Sequence, residues 1–270
     1  MKHQLSIIIP ILNEAETIEH LLKHLLENSS KQNIAEIIVV DGGSTDDSQD
    51  IVNQFVTSSE SNVSLSAVEN KFDLYREANE IVLDTKFAKA NSTRTVIKLI
   101  SSPRGRAKQM NTGSEFASGT ILYFLHADSF PPKHFDQYII DEVECGNFAG
   151  CFRLQFNHNH WWLRLASWLT QFSWRACRGG DQSQFITKDL FNDIDGFDES
   201  YTIYEDNILI NELYKRKQFK VINKKLITSA RRYEKHGIWK LQYHFWAIYV
   251  KKWLGASADE LFAYYKKNIA

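Results

Sequence analysis

Two rhythms of apolar residues alternate along the first half of this chain. Leu5-Ser6-Ile7-Ile8-Ile9 is a short β-branched run closed by Pro10, and Glu36-Ile37-Ile38-Val39-Val40 is a second, stopped by Asp41-Gly42-Gly43. Both predict buried strands. Between them Ile18, Leu21, Leu22, Leu25 and Leu26 recur at i, i+3, i+4, i+7 and i+8, which is the apolar stripe of a helix. Ser44 or Thr45 can cap a further helix running to about Phe55. A third strand is predicted at 95–100, a helix at 106–117 ended by Gly119, and a fourth strand at 121–125. Strands alternating with helices imply a parallel sheet covered on both faces.

The second half is less regular. It predicts a strand at 148–156, a helix at 161–174 with Trp161, Leu165, Trp168 and Phe172 on one face, and a helix at 205–217. A strand at 225–229 and an aromatic-rich helix at 238–254 complete it. The stretch 57–94 breaks the strand–helix rhythm. It is polar, lacks Gly and Pro, and is too long for an ordinary connection. An excursion on the sheet rim is expected near residues 60–92, with a helix at 73–83 inside it.

Parallel sheets bind ligands at the carboxyl ends of their strands. Three of the four predicted N-terminal strands place polar residues there: Pro10-Ile11-Leu12-Asn13-Glu14, Asp41-Gly42-Gly43-Ser44-Thr45-Asp46 and His126-Ala127-Asp128. A carboxylate at such an end can accept hydrogen bonds from a base or ribose, or hold a divalent cation against phosphates. The alternative for Asp41 and Asp46 is a turn residue and a helix cap. For Asp128 it is a loop acid before Pro131-Pro132, and for His126 a packed strand-end histidine. Convergence on one edge favours a site.

Composition narrows the partners. With 32 Lys+Arg against 33 Asp+Glu the formal charge is −1, so no global field holds nucleic acid. The 43% hydrophobic and 24% charged residues are those of a packed globular protein. Cys145, Cys151 and Cys177 form no CxxC pair, which argues against a disulfide framework or a structural zinc. His158 and His160 have no evident third ligand. No leader is read at the N-terminus. The charge-free apolar stretches fall short of the roughly 20 residues that span a bilayer. The expected location is cytoplasmic, with peripheral contact at the inner face of the plasma membrane as an option. Trp161, Trp162, Trp168 and Trp174, and the tract 238–253 with Lys240, Lys251 and Lys252, fit a core, a homodimer contact or a membrane interface.

Taken together, Ile7-Ile8-Ile9-Pro10 with Asn13-Glu14, Val39 to Asp46, Leu125-His126-Ala127-Asp128 and Tyr204-Glu205-Asp206 resemble the family 2 glycosyltransferases of GT-A fold, over about residues 4–235. The runs 103–113, Gly180-Asp181-Gln182 and 229–233 are most similar to the bacterial radical-SAM/selenodomain-associated transferase group. The resemblance implies an α/β fold with a Rossmann-like, mostly parallel sheet flanked by helices and a C-terminal acceptor-side region. Residues 1–235 would form the GT-A domain, split into a nucleotide-binding half (1–130) and an acceptor and catalytic half (131–235), with C-terminal aromatic helices at 236–270.

The resemblance also implies roles. Asp41 would bind the uracil or ribose of a nucleotide sugar, with Pro10, Asn13, Glu14 and Gly43 beside it. Asp128 would stand where the family's DxD motif ligates Mg²⁺ or Mn²⁺, and His126 replaces the first acid of that motif. Asp206 would be the catalytic base, with adjacent Glu205 turned elsewhere. Arg106, in a basic cluster with Arg104 and Lys108, would serve the phosphates in place of an arginine that this chain lacks. Asp181 and Gln182 would shape the acceptor side, and Arg231 and Arg232 would close over the diphosphate. The reaction would be an inverting transfer to an unknown hydroxyl acceptor, a lipid among the options. Its competitors are a nucleotidyltransferase, and a nucleotide-binding or membrane scaffold with a silent site.

Overall fold

The structure is a computed structural model, and it describes residues 2–60, 95–179 and 182–269. The expected excursion lies outside these residues apart from Glu60, and so do the helix at 73–83 and Asp181.

Strand β1 (Leu5–Ile11) leads through helix α1 (Ile18–Asn28) to β2 (Ile34–Asp41), and α2 (Ser48–Glu60) follows. Then come β3 (Val96–Ser101), α3 (Arg106–Glu115), β4 (Ile121–Phe124), a two-residue β5 (Ser129–Phe130) and α4 (Phe135–Glu144). The second half holds β6 (Ala149–Phe156), α5 (Trp161–Leu169), β7 (Gln184–Thr187), α6 (Lys188–Asp193), α7 (Glu205–Lys215) and β8 (Lys220–Thr228). Helices α8 (Arg231–His236), α9 (Ile238–Trp253) and α10 (Ala258–Asn268) close the described chain.

The strands form one sheet in the order β3-β2-β1-β4-β7-β6-β8-β5. The four N-terminal strands are parallel, as their rhythm predicted. Beyond β4 the sheet changes character: β7 runs antiparallel to β4 and β6, whereas β6 and β8 are parallel. Pro10 does not end β1. Pro10 and Ile11 stay in register with Val40 and Asp41, so the strand carries Ile11 to the edge. The helix expected over 161–174 stops at Leu169, and Thr170 caps it.

Side chains alternate across the pleat. Ile7, Ile9, Ile37 and Val39 bury one face under α1 residues Leu21 and Leu25. Ile8, Ile38 and Val40 bury the other under α3 residues Ala107 and Met110 and α7 residues Leu209 and Leu213. Gly113 permits the close approach of α3, because a Cβ there would stand 2.5 Å from Ile8 Cγ2. Helices α9 and α10 share a smaller cluster of Leu241, Ile248, Leu261 and Ile269, against which Tyr201, Ile203 and Tyr204 pack.

Candidate active site

The ends of β1 and β2 are zipped together by short polar side chains. Asn13 takes a left-handed backbone (φ 57°), which its small side chain tolerates. Its Oδ1 accepts from Thr45 N (2.8 Å), and its own N–H donates to Ser44 Oγ (2.9 Å). Glu14 N donates to Ser48 Oγ (2.8 Å) and Ala15 N to Asp46 Oδ2 (3.1 Å). Asp46 Oδ1 also accepts from Ser48 N, so Asp46 holds the first turn of α2 rather than Ser44 or Thr45.

Asp41 lies beneath this zipper, 1% exposed. Its carboxylate accepts from Gly43 N (3.0 Å), Ser44 N (3.1 Å) and Gln49 Nε2 (2.7 Å). The geometry is that of a loop clasp, and Gly43 supplies the positive φ (91°) that the turn needs.

Asp128, partly exposed, follows β4. Its carbonyl accepts from Ser229 N (3.3 Å), and Ser129 and Thr228 join their hydroxyls at 3.1 Å. This pairing brings the segment after β8 to the same edge. Arg231 Nη2 lies 3.3 Å from Glu14 Oε2, and Arg231 Nη1 lies 3.7 Å from Glu16 Oε2. One arginine thus clamps the first loop, far away in sequence. Arg232 does not join it: its guanidinium bonds Tyr265 of α10 and lies over that ring.

Helix α3 acts as a beam between these loops and α7. Gln109, buried on its inner face, donates from Nε2 to Ile11 O and Val40 O (2.8 Å each) and so fixes the ends of β1 and β2. Asn111 exchanges bonds with the Phe197 backbone. Arg106, at the start of α3, reaches both acids at the start of α7: Glu205 Oε1 at 3.2 Å and Asp206 Oδ2 at 3.7 Å. Glu205 therefore does not turn away. Both acids are buried (1% and 8% exposed) and share one guanidinium. Helix periodicity forbids a common face within a helix, but these residues occupy its first turn, where the chain enters from Tyr204 at φ 73°. A left-handed tyrosine is strained by about 1–3 kcal/mol.

Behind them Asn207 Oδ1 accepts from Arg175 Nη2 (3.0 Å) and from Tyr249 Oη (3.2 Å), joining α7 to the 175–178 turn and to α9. Gln182 is buried, and its Oε1 accepts from Arg178 Nη1 (3.0 Å) while Nε2 donates to the Cys177 carbonyl (3.1 Å). Arg178, also buried, spends its other donors on Thr170 O and Phe172 O (2.6 Å each). Gln182 and Arg178 thus shape the 170–182 turn. Burial pushes the nearby Cys151 thiol up to about 11 against the opposing pull of Arg178, which makes it a poor nucleophile.

Glu205, expected to turn elsewhere, thus joins the site, and Gln109, Arg175 and Asn207 take positions there that no motif assigned. The signal was present in Glu205-Asp206-Asn207, three consecutive polar residues buried at the head of an apolar helix.

Among the described residues no three His, Cys, Asp or Glu side chains converge on a metal-sized site. Asp128 offers one carboxylate. That suits only a hard cation that keeps its waters and takes further oxygens from a bound phosphate, as Mg²⁺ and Mn²⁺ do.

Comparisons with known proteins bear on the family and the fold. The model of Glycosyl transferase family 2 matches residues 6–82. Glycosyltransferase AglE of Haloferax volcanii is 30% identical over 126 residues, which are 47% of this chain and 31% of that protein. The S. aureus TarS 1–349 structure in complex with UDP-GlcNAc superposes with a TM-score of 0.56 at 17% identity, over 84% of this chain and 58% of that one. The mannosyltransferase PcManGT of Pyrobaculum calidifontis, in complex with GDP-Man and Mn²⁺, superposes with a TM-score of 0.61 at 17% identity, over 97% and 64%. The chain thus spans less than two thirds of each of these relatives. At such identities the superpositions establish the architecture: the chain has the GT-A fold, and its residues 6–82 match the family 2 glycosyl transferases.

Proposed function

We propose that this chain transfers a sugar from a nucleotide-sugar donor, UDP-linked in our reading, to a hydroxyl acceptor with inversion at the anomeric carbon. The observation that carries this is the buried Asp206–Glu205 pair held by Arg106 beside the carboxyl edge of a GT-A sheet. Runs 103–113 and 229–233 further support the narrower radical-SAM/selenodomain-associated group. The division into a transferase domain (1–235) and C-terminal aromatic helices belongs to the same reading.

Transfer requires a base for the acceptor proton and compensation for charge on the leaving diphosphate. Asp206 accepts that proton as the hydroxyl attacks the face opposite the leaving group. Arg106 offsets one of the two acids' negative charges and fixes the base. Arg231, which the sequence reading set at the diphosphate, would reach it by exchanging Glu14 and Glu16 for phosphate oxygens. Pro10, Asn13, Glu14 and Gly43 form the floor for the nucleoside, and Asp41 acts first by holding that loop. Asp128 would hold Mg²⁺ or Mn²⁺ together with the donor's diphosphate. When bound, the cation offsets negative charge there.

The test is hydrolysis of, or transfer from, a panel of UDP- and GDP-sugars with and without Mn²⁺. Asp206→Asn should lower turnover by roughly 10²–10⁴-fold, the usual contribution of a general base, and leave donor affinity near wild type. Wild-type turnover in Asp206→Asn would remove the base assignment. A melting curve unmoved by every nucleotide and metal would remove the donor reading.

A further inference from the structure

The chain's near-neutral total hides a segregated charge. Residues 145–180 contain four arginines and no Asp or Glu, and residues 235–258 contain four lysines and no Asp or Glu. These two carboxylate-free stretches carry α5 and α9, which meet through their tryptophan side chains. Trp162 meets Trp239 and Trp246 at ring distances of 5.4 and 5.7 Å, and its Nε1 donates to Gln242 Oε1 (3.1 Å).

Helix α9 is apolar on two sides. Leu241 and Ile248 face the protein. Trp239, Tyr243, Trp246, Val250 and Trp253 recur at i, i+4, i+7, i+11 and i+14 and all face solvent, Trp253 at 85% exposure. Trp161, Leu165 and Trp168 of α5 extend the same surface, with Trp161 and Trp239 at 5.6 Å. Six of the seven tryptophans are about half exposed or more, whereas cores usually bury this residue. The exposed cations Arg164, Lys240 and Lys251 flank them.

We propose that the joint α5–α9 face docks on an anionic phospholipid bilayer. Tryptophan's amphipathic ring suits the headgroup boundary. The cations of these two carboxylate-free stretches complement anionic headgroups, with Glu260 of α10 standing near Lys251 at one margin. An amphipathic helix lying in the interface needs no spanning segment, and no described helix is long and apolar enough to cross a membrane. Tyr249, at the border of the face, donates to Asn207 beside Asp206, so the docked surface adjoins the wall of the acid pair. The proposal does not depend on the transferase reading.

The experiment uses the full chain with phosphatidylcholine vesicles, with and without phosphatidylglycerol, at low salt. Co-flotation should require phosphatidylglycerol and weaken as salt rises. Brominated acyl chains should quench the tryptophan fluorescence. Lys240→Gln and Lys251→Gln should each cut partitioning about fivefold. Trp239→Ser with Trp246→Ser should abolish quenching. If that pair proves unstable, the single change Trp253→Ser, at the most exposed ring, should lower partitioning with an unchanged melting temperature. Absence of flotation and quenching with anionic vesicles overturns the proposal. So does a dimer by light scattering that Trp246→Ser converts to monomer while the wild type ignores vesicles.

Discussion

Strand β2 carries a buried carboxylate at each end, and the two are secured in opposite ways. Glu36, at the amino edge of the sheet, is 3% exposed and collects its bonds from distant segments. Its oxygens accept from Ser6 Oγ, Ser118 N (2.9 Å), Ser118 Oγ (2.5 Å) and Lys98 Nζ (3.3 Å). Asp41, five residues on at the carboxyl edge, takes its bonds from Gly43, Ser44 and Gln49, all within eight residues. The first acid stitches β1, β2, β3 and the turn before β4. The second shapes one loop. A sheet whose amino edge is cross-linked can leave its carboxyl edge to local loops, and those loops can be set for a ligand.

Removing the amino-edge stitch should therefore have the largest effect on stability. Glu36→Ala leaves the buried Ser6 hydroxyl without its acceptor and frees Ser118 and Lys98, which reach water, and this costs about 1–3 kcal/mol. Urea unfolding should show the loss with little change in slope. Burial alone would raise the Glu36 carboxyl, but bonds from Ser118 and Ser6 with the charge of Lys98 outweigh it and hold it below its ordinary value. A carboxyl lowered in the folded state contributes stability above its unfolded value, about 4.3. That contribution is lost as pH falls further. Wild type should thus lose stability below about pH 4, and Glu36→Gln should flatten that acid limb. An unchanged acid limb would mean that the stitch is not ionic.

The same change at the carboxyl edge should be milder for folding and harsher for ligand. Asp41→Ala frees the Gly43 and Ser44 N–H groups near solvent, at about 1–2 kcal/mol. The β2–α2 loop then loses its shape, so nucleotide affinity should fall more than stability does. Isothermal titration with UDP and GDP beside a melting curve separates the two. If Asp41→Ala costs as much stability as Glu36→Ala with nucleotide affinity unchanged, the contrast between the edges fails.

This contrast also marks what could be read from the residues alone. The first four strands and their order of chemistry were legible because parallel strands are continuous apolar runs, and Asp-Gly-Gly and Gly119 punctuate them. The amino-edge stitch was not. Ser6, Glu36 and Ser118 become neighbours only through the register of β1 with β2 and β4. Asp206 was legible as an acid at a helix start. Its pairing with Glu205 and Arg106 was not, because helix periodicity argued for divergence and the guanidinium that reaches both acids comes from α3, about a hundred residues away. In the second half β6 was legible as a buried run, whereas β7 has only four residues, β8 is half-exposed, and the three pair out of chain order. For the tryptophans the pattern showed amphipathic helices, but only the packing of Trp162 on α9 fixes which rings stay outside.

The smallest expected effect sharpens the contrast within the carboxyl edge itself. Asp46 serves both loops: Oδ1 accepts from Ser48 N (3.1 Å) and Ser48 Oγ (2.5 Å), and Oδ2 from Ala15 N (3.1 Å). Burial opposes its charged form, and the bonds from Ser48 and Ala15 together overcome this and lower its carboxyl. Asp46→Ala removes a helix-start acceptor, a change that typically costs about 1 kcal/mol. Asp46→Asn keeps one oxygen acceptor and should recover most of that through Ser48, while the bond to Ala15 depends on which way the amide turns. Hydrogen exchange offers the finest reading, because faster exchange at Ser48 alone indicates a lost cap, and faster exchange at both Ser48 and Ala15 indicates a lost zipper. If Asp46→Ala instead speeds exchange at Ser6 or Ser118, the two edges of the sheet are coupled and the division of labour between Glu36 and Asp41 is wrong.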